Sequence, residues 1–228
     1  VDSYSEDLSE TVYVSQNSHS TTVLKDREFP EQEKQSVGAW TKWDTVSQDA
    51  FLHLDEPWKW TSDEVRTRQS MEAVTDRAIS LYIDYEPNRL LVHYLPPHHP
   101  YRADALEEDR ELEPHERDPF TYLRKGGSLE TVWRSYLQDL RMGLEEVGIL
   151  LSSIDAEDVV ITADHGDGFG ELGMLYSHPN GVFHPAVRRV PWVETTARKR
   201  REHEPRTEMP TETLDADPTE QLRNLGYL

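Results

Sequence analysis

The segment from Val159 to Gly173, VVITADHGDGFGELG, decides both the predicted fold and the predicted site. A β-branched run, typical of a central strand in a parallel sheet, leads directly into Asp164 and His165. A carboxylate buried at the end of such a strand needs a partner, because an unpaired buried charge is strongly unfavourable. A divalent cation is such a partner. Carboxylate and imidazole together suit Zn²⁺ or Mn²⁺, and Ca²⁺ fits if oxygen ligands make up the remainder.

A purely structural role is the alternative for these two residues. Asp164 would then accept hydrogen bonds from backbone amides, and His165 would support a neighbouring group. Residue type alone does not separate this role from metal binding. The glycines from Gly166 to Gly173 allow sharp turns and close backbone approach in either case.

Strand and helix patterns alternate along the chain. The predicted strands are Thr11–Ser15, Arg89–Leu95, Asp158–Ala163 and an edge strand at Val190–Val193, and the predicted long helices are Thr61–Ile83 and the segment from Ser128 to Leu151. Residues 102–127 are acidic and are predicted to be an irregular surface excursion. This order predicts an α/β fold with a mainly parallel sheet flanked by helices.

Two smaller predictions complete the organisation of the chain. The helix that follows Ser128 is expected to bury one face at helical spacing, formed by Trp133, Tyr136, Leu140, Leu144, Val147 and Leu151. Residues 1–197 are assigned to the α/β domain, residues 198–216 to a charged linker and residues 217–228 to a C-terminal helix.

Ligands of open parallel sheets bind beyond the carboxyl ends of the strands, and a second polar cluster lies at such a position. His98 and His99 follow the strand Arg89–Leu95 in a loop stiffened by prolines. A rigid histidine loop suits a binding site, so both residues are predicted to contact a substrate. Exposed loop histidines without a function are the alternative.

Three further candidates lie downstream, in the segment from Ser177 to Arg189. Either His178 or His184 could close a metal site or bind an anionic substrate group, and packing of both against the neighbouring prolines is the alternative. His178 is assigned as a metal ligand and His184 as a substrate contact. Arg188 is a candidate substrate residue, because a guanidinium group binds sulfate or phosphate through parallel hydrogen bonds.

The charge of the chain limits its partners. Asp and Glu number 44 against 24 Lys and Arg, which gives a net charge of −20. Such a surface repels nucleic acid and anionic membranes. An acidic chain with few lysines and no cysteine is typical of a cytoplasmic protein from a high-salt cell. The lack of cysteine excludes disulfides, thiolate metal sites and a cysteine nucleophile. No apolar run approaches the length of about 18 residues that a membrane span needs.

Four segments together resemble the alkaline phosphatase superfamily, and within it the sulfatase-like proteins of salt-loving archaea. ITADHGDGFGELGMLYSHP resembles the family's strand-DHG-x-x-x-GE-x-G-x-x-x-H block, and VHYLPPHHPY resembles its strand followed by PH-x-P-Y. RRVPWVETTA resembles the family's next strand, and LRNLGYL resembles a common ending of the archaeal members. The order and spacing of these segments also agree.

The resemblance implies hydrolysis of a sulfate or phosphate monoester, carried by a small molecule or a glycan, with a divalent metal as cofactor. It implies that Asp164 and His165 are metal ligands and that His178 is a ligand or a substrate contact. His98 would contact the charged ester or the region of a second metal. A metal in such enzymes activates the nucleophile and stabilises charge on the transferred group.

The first part of the chain departs from the family pattern. Active members carry acidic metal ligands after an N-terminal strand, followed by a nucleophilic serine, threonine or modified cysteine. No such segment is recognisable here, so no catalytic nucleophile is assigned. We expect the chain to be truncated at its N-terminus or to lack that portion naturally. An ester hydrolase, a non-catalytic module that binds an anionic glycan or a partner protein, and a structural remnant all stay open, as does the oligomeric state.

Overall fold

The computed structural model describes residues 5–18, 20, 46–61, 68–179 and 181–207, which form a mixed α/β fold. The helices are α1 (Ser5–Ser9), α2 (Arg68–Tyr85), α3 (Ala103–Glu107), α4 (Pro114–Arg117), α5 (Pro119–Arg124), α6 (Leu129–Leu151) and α7 (Pro185–Arg188), with short 3-10 helices at Gln48–Ala50 and Pro57–Lys59. The strands are β1 (Thr11–Ser15), β2 (His53–Asp55), β3 (Arg89–His93), β4 (Ala156–Thr162), β5 (Gly168–Glu171), β6 (Leu175–Ser177) and β7 (Trp192–Ala197).

A three-stranded parallel sheet lies at the centre, in the order β2-β1-β3. The predicted strand Thr11–Ser15 is confirmed as its middle strand. Val12 and Val14 are fully buried there, because β1 has neighbours on both edges and helices pack against the sheet. The main core joins residues of β1, α2, the end of α6 and β7, namely Val12, Val14, Val74, Ala78, Ile79, Leu81, Leu150, Ile154 and Ala197.

Both long helices are confirmed, but the predicted face of the second is only partly correct, since Tyr136 and Leu151 pack against the core while other members are exposed. α6 begins after Ser128, whose hydroxyl accepts a hydrogen bond from the Thr131 amide at 3.2 Å. Trp133 and Leu144 are each 45% exposed. The buried positions lie about one residue away, at Val132, Ser135, Asp139, Met142, Glu146 and Leu150. Hydrophobic periodicity missed this face because two of its members are carboxylates that are buried with hydrogen-bond partners.

The prediction that Asp158–Ala163 is a central parallel strand is also wrong. β4 pairs antiparallel with β7, and most of its residues are exposed, with Val160 at 44%. β3 ends at His93, before the predicted Leu95, and its Leu91 is 50% exposed. A β-branched run indicates a strand but does not determine how many neighbours it has. Among the described residues, β3 and β4 each pair along one edge.

Three regions differ from their predicted local structure. Residues 102–127 are not irregular, since α3, α4 and α5 lie there and bury Ala105, Phe120 and Leu123. The glycine-rich segment after β4 forms a hairpin of β5 and β6. The edge strand predicted at Val190–Val193 begins later, at Trp192. Residues 62–67, which belong to the predicted helix Thr61–Ile83, lie outside the described residues.

The last described segment, residues 201–207, is tied to the helices by buried charges. Asp76 of α2 accepts hydrogen bonds from the Arg206 and Thr207 amides at 2.7 and 2.8 Å, and its Oδ1 lies 2.7 Å from His203 Nε2. Glu146 of α6 accepts hydrogen bonds from the Arg206 guanidinium at 2.8 and 3.2 Å. Residues 208–228, which include the predicted C-terminal helix, lie outside the described part of the chain.

None of the described helices combines the length and the apolar character that crossing a bilayer requires.

Candidate metal centre

Three side chains that follow β4 come together at one point. They are His165, Asp167 and His178, and one potential ligand atom of each lies within 4.8 Å of the other two. The β5–β6 hairpin produces this arrangement. Gly168 and Ser177 are paired in its register, so the residues that flank them, Asp167 and His178, lie side by side at the open end of the hairpin.

Hydrogen bonds orient the two imidazole rings. His178 Nδ1 lies 2.7 Å from Asp167 Oδ1, and His165 Nδ1 lies 3.1 Å from the carbonyl oxygen of Gly166. Because a carbonyl only accepts, the proton of neutral His165 is on Nδ1 and the lone pair is on Nε2. A histidine whose second nitrogen donates to a carbonyl or a carboxylate is the usual arrangement of a metal ligand.

The carboxylate of Asp167 is kept charged by its surroundings. Its side chain is 14% exposed, and burial alone would raise its pKa. The hydrogen bond with His178 and the nearby imidazoles of His178 and His165 outweigh this effect and lower the pKa below its ordinary value. A buried, ionised carboxylate between two imidazoles is therefore ready to accept a cation.

Backbone conformation at two positions makes this geometry possible. A Cβ on Gly166 would lie 2.2 Å from the carbonyl oxygen of Ala186, because the Gly166 amide donates a hydrogen bond to Val187 at 2.9 Å. Glycine thus lets the turn pack directly on α7. Ser177 has a φ of +65°, in the left-handed region that a serine seldom adopts. Such strain is frequent at functional sites.

Asp164, the predicted carboxylate ligand, lies beside this group. Its side chain is 59% exposed, and its Oδ1 accepts a hydrogen bond from the His165 amide at 2.9 Å. Oδ1 is 3.8 Å from His165 Nε2, and Oδ2 is 4.0 Å from Nε2 of His93 at the end of β3. The predicted ligands His165 and His178 are therefore brought together, with Asp167 between them, whereas Asp164 is next to His165 on the solvent side.

Asp167 and His93 were not among the site residues predicted from the sequence. The spacing of His165 and Asp167, two residues apart in a glycine-rich turn, was the available signal for Asp167. His93 ends β3 and lies 3.4 Å from the Tyr13 hydroxyl through Nδ1. Burial lowers the pKa of His93, while the charge of Asp164 opposes this effect. Its position at the carboxyl end of a parallel strand was the available signal for His93.

The histidine loop, residues 96–100, lies against the triad. The ring of His98 is 6.0 Å from that of His178 and stacks on His99 at 4.6 Å. Burial lowers the pKa of His98 to about 3, helped by the adjacent His99. Burial also lowers the pKa of His99. Both imidazoles are therefore neutral near pH 7, so they offer hydrogen bonds to a substrate but no positive charge.

The other two predicted substrate residues have structural contacts on α7. His184 precedes this helix and accepts a hydrogen bond from the Ala186 amide through Nδ1 at 3.2 Å. Arg188 donates from Nε to the carbonyl of Val182 at 3.2 Å and stacks on Phe183, with 4.6 Å from Cζ to the ring centre. Neither belongs to the group formed by His165, Asp167 and His178. Their substrate roles stay predictions.

Ser177 is the hydroxyl residue next to the triad, but its geometry is not that of an activated nucleophile. Its Oγ lies 3.5 Å from His178 Nδ1, the same nitrogen that faces Asp167. In a serine–histidine–aspartate relay, the hydroxyl and the carboxylate contact opposite nitrogens of the ring. The arrangement is suited to holding a cation and is not suited to this kind of proton relay.

Comparison of the chain with protein-family models, with curated proteins and with solved structures gave no match.

Proposed function

We propose that this chain is a sulfatase-like member of the alkaline phosphatase superfamily, a metal-dependent hydrolase of sulfate or phosphate monoesters. The observation that carries the proposal is the convergence of His165, Asp167 and His178 within 4.8 Å. It supports a metal function because two imidazoles and an ionised carboxylate converge where a hairpin follows a strand end. The motif that resembles the superfamily supplies the class of substrate.

The donor set fits a first-row divalent cation. Two nitrogens and one carboxylate oxygen match the composition of catalytic zinc sites, which keep a further position open for water or substrate. We therefore favour Zn²⁺ or Mn²⁺ over Ca²⁺, whose sites are built from oxygen ligands. When bound, such a cation lowers the pKa of water and stabilises charge on the transferred group.

The residues of the chain would divide the remaining work. His165 and His178 would hold the cation through nitrogen, and Asp167 would be the third ligand while its Oδ1 also orients His178. His98 and His99 would contact ester oxygens as neutral hydrogen-bond partners. Asp164 lies beside His165 of the triad and 4.0 Å from Nε2 of His93, and an acidic group next to an imidazole can move a proton to or from a leaving group.

A non-catalytic module that binds a sulfated or phosphorylated ligand is the second candidate. It is favoured by one observation, which is that Ser177 lacks the geometry of a nucleophile and no other nucleophile is assigned. Such a module would retain the cation and the histidine loop, and it would bind the anion without turning it over.

Turnover by the metal-loaded chain separates the two. The chain is loaded with Zn²⁺ or Mn²⁺ in concentrated KCl and assayed with 4-nitrophenyl phosphate and 4-nitrophenyl sulfate, next to Asp167→Asn and a control, Asp158→Asn, at an exposed position of β4. Turnover that is lost in Asp167→Asn and kept in Asp158→Asn supports the hydrolase. Metal-dependent binding of phosphate or sulfate without turnover supports the module. A chain that takes up neither metal nor anion refutes both.

A further inference from the structure

An aromatic surface lies next to the triad, formed by Trp133 and Tyr136 of α6 and Phe169 of β5. We call it the aromatic platform. Trp133 and Tyr136 are stacked, with ring centres 5.1 Å apart and planes 12° from parallel. Phe169 meets both rings edge-on, at 5.3 Å from Trp133 and 5.4 Å from Tyr136. The three rings hold one another in fixed orientations, which is the usual effect of such contacts.

The platform is open to solvent at one ring. Trp133 is 45% exposed, whereas Phe120, the aromatic residue beneath Phe169, is 4% exposed. The residues on either side of Trp133 on the surface of α6, Glu130 and Arg134, are exposed and charged. A large aromatic ring on this polar side of a helix is not needed for the core, since Val132 already fills the buried position.

The platform is continuous with the triad. Phe169 follows Asp167 by two residues, and an extended chain advances about 3.3 Å per residue, so their Cα atoms lie within roughly 7 Å of each other. Ring contacts also connect the two regions through Phe120, His99 and His98. Burial raises the pKa of Tyr136 and the charge of Asp167 adds to the effect, which places the two groups within electrostatic reach.

We propose that the aromatic platform binds the ring of the ester's alcohol portion, a sugar or aryl ring whose sulfate or phosphate group faces the triad. This rests on the proposed function and deepens it by naming the substrate class. The negative faces of aromatic rings attract the polarised C–H groups that both kinds of ring present. Small-molecule sites commonly combine such apolar, aromatic walls with a few fixed polar groups.

The charge of the protein makes this arrangement reasonable. With a net charge of −20, the protein as a whole repels an anionic ligand, which a bound cation would attract locally. A stacked ring adds affinity without requiring a basic residue. It also selects esters with rings over inorganic phosphate and sulfate, which would otherwise compete for the cation.

The test compares ligands with and without a ring on the full chain. Isothermal titration in concentrated KCl measures phenyl phosphate, glucose 6-phosphate and inorganic phosphate with the metal-loaded protein. The variants are Trp133→Leu, which keeps apolar cover over the neighbouring rings, and Trp133→Phe, which keeps a ring. Trp192→Leu is the matched control, since Trp192 is 65% exposed on β7.

Trp133→Leu is expected to weaken binding of a ring-bearing phosphate about threefold to tenfold. Inorganic phosphate should bind unchanged, Trp133→Phe should recover most of the loss, and Trp192→Leu should have no effect. Loss for phenyl phosphate alone identifies an aryl ring, and loss for glucose 6-phosphate alone identifies a sugar. The proposal is overturned if phenyl phosphate and glucose 6-phosphate bind Trp133→Leu as tightly as wild type. It is also overturned if sedimentation shows that Trp133→Leu has a different oligomeric state from wild type, because Trp133 would then lie between subunits.

Failure of the proposed function gives a different result. In that case inorganic phosphate does not bind in a metal-dependent way, and phenol and methyl glucoside, which carry no ester, become the probes. Binding of either that is weakened in Trp133→Leu keeps the platform as a ring site while the hydrolase proposal falls. Absence of binding by both overturns the platform as well.

Discussion

Asp139 of α6 allows a quantitative prediction about stability. Asp139 is 2% exposed, and its Oδ1 accepts hydrogen bonds from the Arg102 amide at 2.7 Å and the Ala103 amide at 2.8 Å. The carboxyl group therefore anchors the end of the histidine loop to α6. Burial raises its pKa to about 7, although the hydrogen bonds from the two amides favour the charged form.

The magnitude follows from the two states of the chain. An aspartate in an unfolded chain has a pKa of about 3.9. Between about pH 4 and about pH 7, the unfolded chain has lost this proton while the folded protein retains it, so the free energy of unfolding falls as the pH rises through this window. Above about pH 7, the contribution of Asp139 to the free energy of unfolding no longer changes with pH. A difference of roughly three pKa units corresponds to about 4 kcal/mol.

Asp139→Asn removes this pH dependence, because an amide does not ionise and its oxygen can accept the same two hydrogen bonds. The difference in unfolding free energy between variant and wild type should grow by about 4 kcal/mol, in favour of the variant, from pH 4 to pH 8. Urea denaturation in concentrated KCl measures it. Asp158→Asn, at an exposed position on β4, is the control and should show no such trend. Parallel pH profiles of Asp139→Asn and wild type would refute the reasoning.

Three further substitutions test other parts of the structure. Gly166→Ala should destabilise the protein by about 1–3 kcal/mol and weaken metal binding, because the new Cβ meets the backbone of α7. Its control is Gly148→Ala on α6, where a Cβ has open space, so this variant should be neutral or stabilising. Equal thermal midpoints for the two variants would contradict this prediction. Arg206→Ala should lower the free energy of unfolding by about 2–3 kcal/mol, because it removes the cation that pairs with Glu146, which is 1% exposed. Urea denaturation measures this loss, and an unchanged midpoint would show that Glu146 does not need the Arg206 cation. His184→Ala should cost about 1 kcal/mol through the lost cap of α7 and leave metal affinity unchanged; a loss of metal affinity on titration would instead make His184 a ligand.

Local patterns predicted much of the secondary structure. Thr11–Ser15 and the helix after Ser128 depend on β-branched runs, side-chain periodicity and a cap residue, all of which are local properties of the chain. The number of neighbours of β4 is not local. It depends on which segments of the chain reach each edge, and so a strand predicted to be central proved to be half-exposed.

Burial of charged residues was the second source of error. Asp139 and Glu146 were not among the residues predicted for the buried face of α6, which was read from apolar side chains alone, and carboxylates are rarely buried. Each is buried because segments distant in sequence, at Arg102 and Arg206, supply its hydrogen bonds. One-dimensional periodicity contains no information about such partners, so the predicted face of the helix was displaced.

Part of the candidate site could be predicted from the sequence, and part could not. His165 and His178 were proposed as ligands together, and the structure places both in one group. The carboxylate in that group is Asp167 rather than Asp164. The choice between them depends on the β5–β6 register, which holds Asp167 next to His178. That hairpin was predicted only as a glycine-rich loop.

Metal binding at His165, Asp167 and His178 is the central claim, and equilibrium dialysis measures it most directly. Wild-type protein is dialysed against Zn²⁺ and, separately, Mn²⁺ in concentrated KCl, alongside Asp167→Asn and His184→Ala. We predict one tightly bound cation per chain in the wild type and in His184→Ala, and an affinity reduced about 10- to 100-fold in Asp167→Asn. Equal metal content in wild type and Asp167→Asn, or no bound metal in the wild type, would contradict the claim.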